Sequence, residues 1–185
     1  MNTTLAANLW SGLARSRLYQ VLVVLGGTLL LTVSAKVQVP FWPVPMTMQT
    51  FVVLMIGASL GARLAGATVL AYLVEGAAGL PVFAGGAGPA YLTGPTGGYL
   101  FGFLAAAVLV GWLADKGFGR SLLTTLAAFA AGEAVIFALG AGWLATLVGL
   151  DKALSAGLLP FLPGEAIKVV LACAVLPIAW RAARR

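Results

Sequence analysis

Apolar residues in this chain come in long runs, not in alternation. The runs cover about Leu18–Ala35, Met46–Leu60, Leu64–Gly79, Tyr99–Ala114, Leu122–Val148 and Pro163–Trp180. Such runs predict helices, because backbone in hydrocarbon must satisfy its own polar groups unless a barrel closes, and a barrel needs period-two strands. Most approach the roughly 20 residues that a bilayer crossing takes. The pattern predicts one all-α transmembrane domain over residues 1–185, with six spans between about 18 and 181 and a tail over about 1–17. In that tail Leu5, Leu9 and Leu13 share one helical face, which suits either the membrane interface or no fixed helix at all, a frayed tail. A competing reading takes Arg15, Arg17, Val21–Leu31 and "VSA" as a signal peptide. The stretch ahead of it is long for that role, and the segment serves equally well as a first span.

Composition sharpens the class. The chain is 61% hydrophobic and 9% charged, against roughly 25% charged residues in soluble domains. Histidine is absent, which removes histidine acid–base chemistry and histidine metal ligation. The single Cys173 excludes an internal disulfide and any multi-cysteine metal cluster. The net charge of +6 does not point to nucleic acid, because the basic residues do not gather on one soluble face. They encode orientation instead. With the N-terminus inside, eight basic residues fall on the cytoplasmic side: Arg15, Arg17, Arg63, Lys116, Arg120, Arg181, Arg184 and Arg185. Only Lys36 and Lys152 fall outside. The bias places both termini in the cytoplasm.

Several features locate packing and chemistry. Gly57/Gly61, Ala62/Gly66 and Gly98/Gly102 are small-xxx-small pairs, which let helix backbones approach closely in lipid or dock a partner's helix. The outward connections "KVQVPFWPVPMTMQT" and "GLPVFAGGAGPAYLTGPTGG" are nearly uncharged and rich in proline, glycine and aromatics. Loops of that composition predict re-entrant-like backbone tucked into the bundle, either as a lid over a ligand or as a packing cap. The glycine-rich connector lacks the Gly-Lys-Ser/Thr ending of a phosphate loop, so ATP is not hydrolysed here by that route. Four ionisable residues lie in or near the membrane: Glu75, Glu133, Glu165 and Lys168. Each costs about 2.5–3.5 kcal/mol at mid-bilayer on insertion scales, which makes them functional candidates. A buried ion pair is the bland account. Three acids against one base oversupply negative charge, however, and donors on a ligand would satisfy the surplus.

The segments "VPFWPVPMTMQT", "YLVEGAAGLPVFAGG", "GPTGGYLFGF" and "FLPGEAIK" stand in the order and spacing of one family. The sequence resembles the BioY family of biotin transporters, the substrate-binding components of energy-coupling factor transporters, from about Lys36 onward. The resemblance implies six helices with cytoplasmic termini, and biotin bound near the outer face beneath the first extracellular loop. It implies no cofactor and no catalysis. The partners it implies are a transmembrane coupling subunit, ATPase subunits, the lipid bilayer and, as a further option, a second copy of the chain. The compartment would be the bacterial inner membrane. The family's Pro-Gly-acid-x-x-Lys element falls on Pro163, Gly164, Glu165 and Lys168, with Glu165 where Asp is usual. The family's Ala-x-x-x-Ala pattern in the first helix is replaced here by Thr28/Thr32. Biotin offers ureido N–H donors, a carbonyl acceptor, an apolar ring and chain, and a terminal carboxylate. Glu165, Glu133 and Glu75 are the expected acceptors, Lys168 the donor, and Gln49 either. Phe41, Trp42, Phe83 and Tyr91 are the expected apolar wall. Rival readings are a component for thiamine or riboflavin, an intramembrane enzyme using Glu75 and Glu133 as paired acids, and a channel.

Overall fold

The computed structural model describes residues 4–6 and 16–183. Helices dominate: α1 (Arg17–Lys36), α2 (Gln49–Ala77), α3 (Pro89–Leu92), α4 (Gly97–Asp115), α5 (Leu122–Val148), α6 (Leu150–Gly157) and α7 (Leu162–Ala183). Among the described residues, α1, α2, α4, α5 and α7 are long and apolar enough to cross a membrane. A two-stranded antiparallel ribbon, β1 (Gln38–Val39) with β2 (Met46–Thr47), lies between α1 and α2.

The runs expected as the second and third spans form one continuous helical element, α2, broken at Gly61. There φ is +77° and ψ 170°, a left-handed backbone that favours glycine. The break reverses the chain. Gln49 and Tyr72 would stand about 34 Å apart on a straight helix, yet Gln49 Nε2 donates to Tyr72 Oη at 2.8 Å. Residues 49–60 and 62–77 are therefore two arms of a helical hairpin. Asp115 Oδ2 accepts from Ala62 N at 3.1 Å, satisfying a backbone donor left orphaned where the second arm starts.

Small residues seat the helices against one another. A Cβ on Gly57 would lie 3.0 Å from Ala107 O, and one on Gly111 would lie 2.5 Å from Ala62 N, so both arms press on α4. A Cβ on Gly102 would lie 3.0 Å from Ile136 Cα, and one on Gly98 would lie 2.5 Å from Leu139 O, which seats α4 on α5. The expected role of the small-xxx-small pairs in backbone approach is what these contacts describe. α1 is the loosest helix. It meets the second arm where Gly27 faces Thr68, and buries Thr28, Leu31, Ser34 and Ala35. Its remaining face, including Leu22, Leu25 and Leu29, is exposed.

The two ends of the bundle differ in charge. Arg17, the Gly61–Arg63 turn and the Asp115–Arg120 connection share one end, where Lys116 Nζ sits 3.8 Å over the Trp112 ring and the Arg120 guanidinium 5.0 Å from the Trp180 ring centre. Thr4, Leu5 and Ala6 are also buried, with Thr4 beside Gly61. The other end carries the ribbon, the connection over residues 78–96, α6 and the start of α7, with Lys36 and Lys152. Of the residues singled out earlier, Leu9, Leu13, Arg15, Arg184 and Arg185 lie outside the described residues, as does the side chain of Arg181.

Candidate ligand cavity

The end with few cations holds a small, partly open cavity of about 40 Å³. Its roof comes from the ribbon: Pro40, Pro43 and Pro45 keep this stretch out of a helix, and the Gln38↔Thr47 and Val39↔Met46 pairing folds it back over α2. Val44, Pro45 and Thr47 line the space from this side. Gln49 and Thr50, at the start of the first arm, continue it downward. Ala84 and Tyr91 form a second wall, and Tyr99, Leu100 and Phe103 of α4 with Ile136 and Phe137 of α5 a third. Phe161 and Glu165 close it. Edge-to-face aromatic packing stiffens the apolar side, with ring centres 6.2 Å apart for both Tyr99–Phe137 and Phe137–Phe161. Tyr99 is fixed further by donating to Gly157 O at 2.6 Å, which draws α6 onto the cavity.

The polar part is a buried cluster at the start of α7. Lys168 Nζ donates to Glu165 Oε1 at 2.8 Å, to Thr50 Oγ1 at 3.0 Å and to Thr47 O at 2.5 Å. An ammonium has three donors, and all three are placed. Thr50 Oγ1 donates to the other oxygen of Glu165 at 2.6 Å. The cluster thus ties ribbon, first arm and α7 together. Glu133 is buried beside Glu165 and Lys168, with neither of its oxygens in a well-formed hydrogen bond. A buried acceptor left unpaired is costly, and a ligand donor would relieve it. Among the described residues no group of three His, Cys, Asp or Glu side chains is placed to hold a metal.

Of the nine expected site residues, Gln49, Tyr91 and Glu165 line the cavity. Lys168 and Glu133 flank Glu165 just behind the lining. Phe41 packs on the lining Phe161, with centroids 6.1 Å apart, and Phe83 stacks behind Tyr91 at 5.1 Å. The remaining two lie elsewhere. Trp42 is 80% exposed, and Glu75 sits half-buried near the end of the second arm; neither is among the lining residues. Sequence reasoning passed over Thr50, Tyr99, Phe103, Phe137 and Phe161. Tyr99 and Phe103, four apart and so on one helical face, were the available signal; Thr50 had only its place beside Gln49.

Comparison with known families decides the kinship. The BioY family model matches residues 4–185. The chain belongs to the BioY family. It is 42% identical to the biotin transporter BioY of Thermotoga maritima over 150 residues, covering 80% of this chain and 88% of that one. It is 39% identical to a probable biotin transporter BioY of Pyrococcus horikoshii over 144 residues, covering 77% and 85%. A crystal structure of the S-component for biotin from an ECF-type ABC transporter superposes with a TM-score of 0.78 at 25% identity, covering 89% of this chain and 92% of that one. The family is one of transporters.

Proposed function

We propose that this chain is the biotin-capturing component of a vitamin uptake system and works as a transporter subunit, not as an enzyme. Membership of the BioY family is the observation that carries the reading, and the cavity is its physical counterpart. The two arms of α2 count as separate crossings, giving six. The basic end, with Arg17, Arg63, Lys116 and Arg120, faces the cytoplasm by the positive-inside rule, as do both termini. The cavity then opens outward, from a bacterial inner membrane. A transmembrane coupling subunit and ATPase subunits on other chains supply the energy, since this chain carries no phosphate loop.

Within the cavity the ureido head lies toward Glu165, Glu133 and Gln49, whose oxygens can accept from its N–H donors. Tyr91, Tyr99, Phe103 and Phe137 enclose the apolar ring and chain. Lys168 holds Glu165 in place and contributes through it. Glu75 and Trp42 serve outside the cavity, at its rim. Equilibrium binding of labelled biotin to the purified full-length protein tests the reading, with thiamine and riboflavin as competitors. Biotin alone should saturate one site. Displacement by either of the other vitamins at comparable concentration, or no biotin binding, overturns it.

A further inference from the structure

Three consecutive backbone carbonyls beside the cavity are held by side chains from three different elements. Tyr72 Oη of the second arm donates to Val82 O at 3.1 Å. Lys36 Nζ, at the end of α1, donates to Phe83 O at 2.5 Å. Gln38 Nε2 of β1 reaches Ala84 O at 3.5 Å, the edge of a hydrogen bond. The clamped segment frames a wall of the cavity: Ala84 lines it, and Phe83 stacks on Tyr91, which also lines it.

The three holds are unequal. Tyr72 is fully buried and is itself held by Gln49, so releasing it would strand polar atoms in the core. Gln38 is at the distance limit. Lys36 is exposed, makes a charge-assisted bond, and has no carboxylate partner among the described residues. Water can replace the carbonyl on an exposed ammonium at little cost. The Lys36 bond is thus the strong hold that is also reversible.

We infer that Lys36 is a latch: its hydrogen bond to Phe83 O keeps the Phe83–Tyr91 wall against the cavity, and its release is the step that admits and discharges ligand. The inference rests on the proposed function. Lys36 does not line the cavity and acts through Tyr91, so it is a positioning residue. A latch has a kinetic signature that mere glue lacks. Removing it lowers the barrier in both directions and leaves the contacts of bound ligand intact.

Stopped-flow biotin binding by full-length protein in lipid nanodiscs reads this out. Lys36→Met keeps the aliphatic stem and removes the donor. On- and off-rates should each rise at least fivefold while Kd moves less than threefold, and Lys36→Arg should return both rates toward wild type. Unchanged rates, or a rise in the off-rate alone, overturn the latch. A second readout needs no biotin. A Cβ at Gly85 meets only the Tyr91 hydroxyl, at 3.7 Å, and ring edge, at 3.9 Å, so Gly85→Cys is tolerated. In a Cys173→Ser background, its labelling by a membrane-impermeant maleimide should be at least fivefold faster with Lys36→Met. Faster labelling in protein that binds no biotin would sink the transport reading and keep the latch. Normal biotin binding with labelling and both rates unmoved would sink the latch alone. If Lys36→Met does not fold, Lys36→Gln, whose amide falls short of the carbonyl, gives the same readouts.

Discussion

The two ends of this bundle are built from the same apolar helices and closed by opposite means. At the basic end, backbone meets backbone: Gly61 turns the hairpin and Gly111 presses on Ala62. At the cavity end, side chains hold irregular backbone: Lys168 grips Thr47 O, Tyr72 grips Val82 O, and Lys36 grips Phe83 O. A glycine contact is lost only by parting the helices. A side-chain grip can be exchanged for water or a ligand one bond at a time. One end is therefore suited to stay closed, and the other to open and rebind.

The sharpest break in that comparison is expected at the cavity end. Lys168→Met removes three hydrogen bonds and leaves the buried Glu165 carboxylate facing Thr50 alone. Breaking a buried pair this way costs about 3–5 kcal/mol. Denaturation in detergent should show the loss, and Glu165→Gln added to Lys168→Met should recover most of it. A single variant as stable as wild type would mean that the cluster does not hold the ribbon.

Much of this division was readable in the residues themselves. The long helices were, because lipid imposes a one-dimensional apolar pattern that tertiary contacts barely modify. The reversal within α2 was readable as a gap between two runs at "GAR", although not as a turn this tight. The ribbon was not: two-residue strands are set by register between Gln38 and Thr47, nine positions apart, and leave no periodic trace. The eight-residue α6 was also missed, being too short to register as a periodic apolar run. In the cavity, Gln49 and Glu165 were conspicuous as polar residues beside apolar runs, whereas Phe103 and Phe137 look like any other span residue. Trp42 stood out as an aromatic in a nearly uncharged loop, which does not declare which way the ring faces.

At the basic end the test is steric. A methyl on Gly111 would lie 2.5 Å from Ala62 N and 2.6 Å from its Cα, so Gly111→Ala must push the hairpin off α4. Overpacking of this kind costs about 1–3 kcal/mol. Gly142→Ala, within α5 with nothing inside 4 Å of the new methyl, is the control. It should gain about 0.5–1 kcal/mol from helix propensity alone. Equal effects at the two positions would show that close approach is not what seats the hairpin. Asp115→Ala tests the same end more gently: losing the acceptor for Ala62 N should cost about 1 kcal/mol, in the range of a lost helix cap.

The smallest effect on folding is expected just behind the cavity lining, at Glu133. Glu133 is buried with neither oxygen well hydrogen-bonded, so the ligand-free fold draws little from its polar group. Glu133→Met keeps the unbranched shape and removes the unmet acceptors, a change that leaves stability level or raises it by about 1 kcal/mol. Binding should respond in the opposite direction. If those oxygens receive a donor from biotin, the variant loses a hydrogen bond that forms only in the complex. Affinity should then fall by about tenfold, which is about 1.4 kcal/mol. Stability and affinity must be measured on the same variant, because weak binding by itself also follows from partial unfolding. A variant that melts early while its folded fraction binds biotin as wild type would make Glu133 a structural member of the Glu165–Lys168 cluster. A variant that folds well and binds weakly places the cavity end's reserve of unpaired acceptors at the service of the ligand.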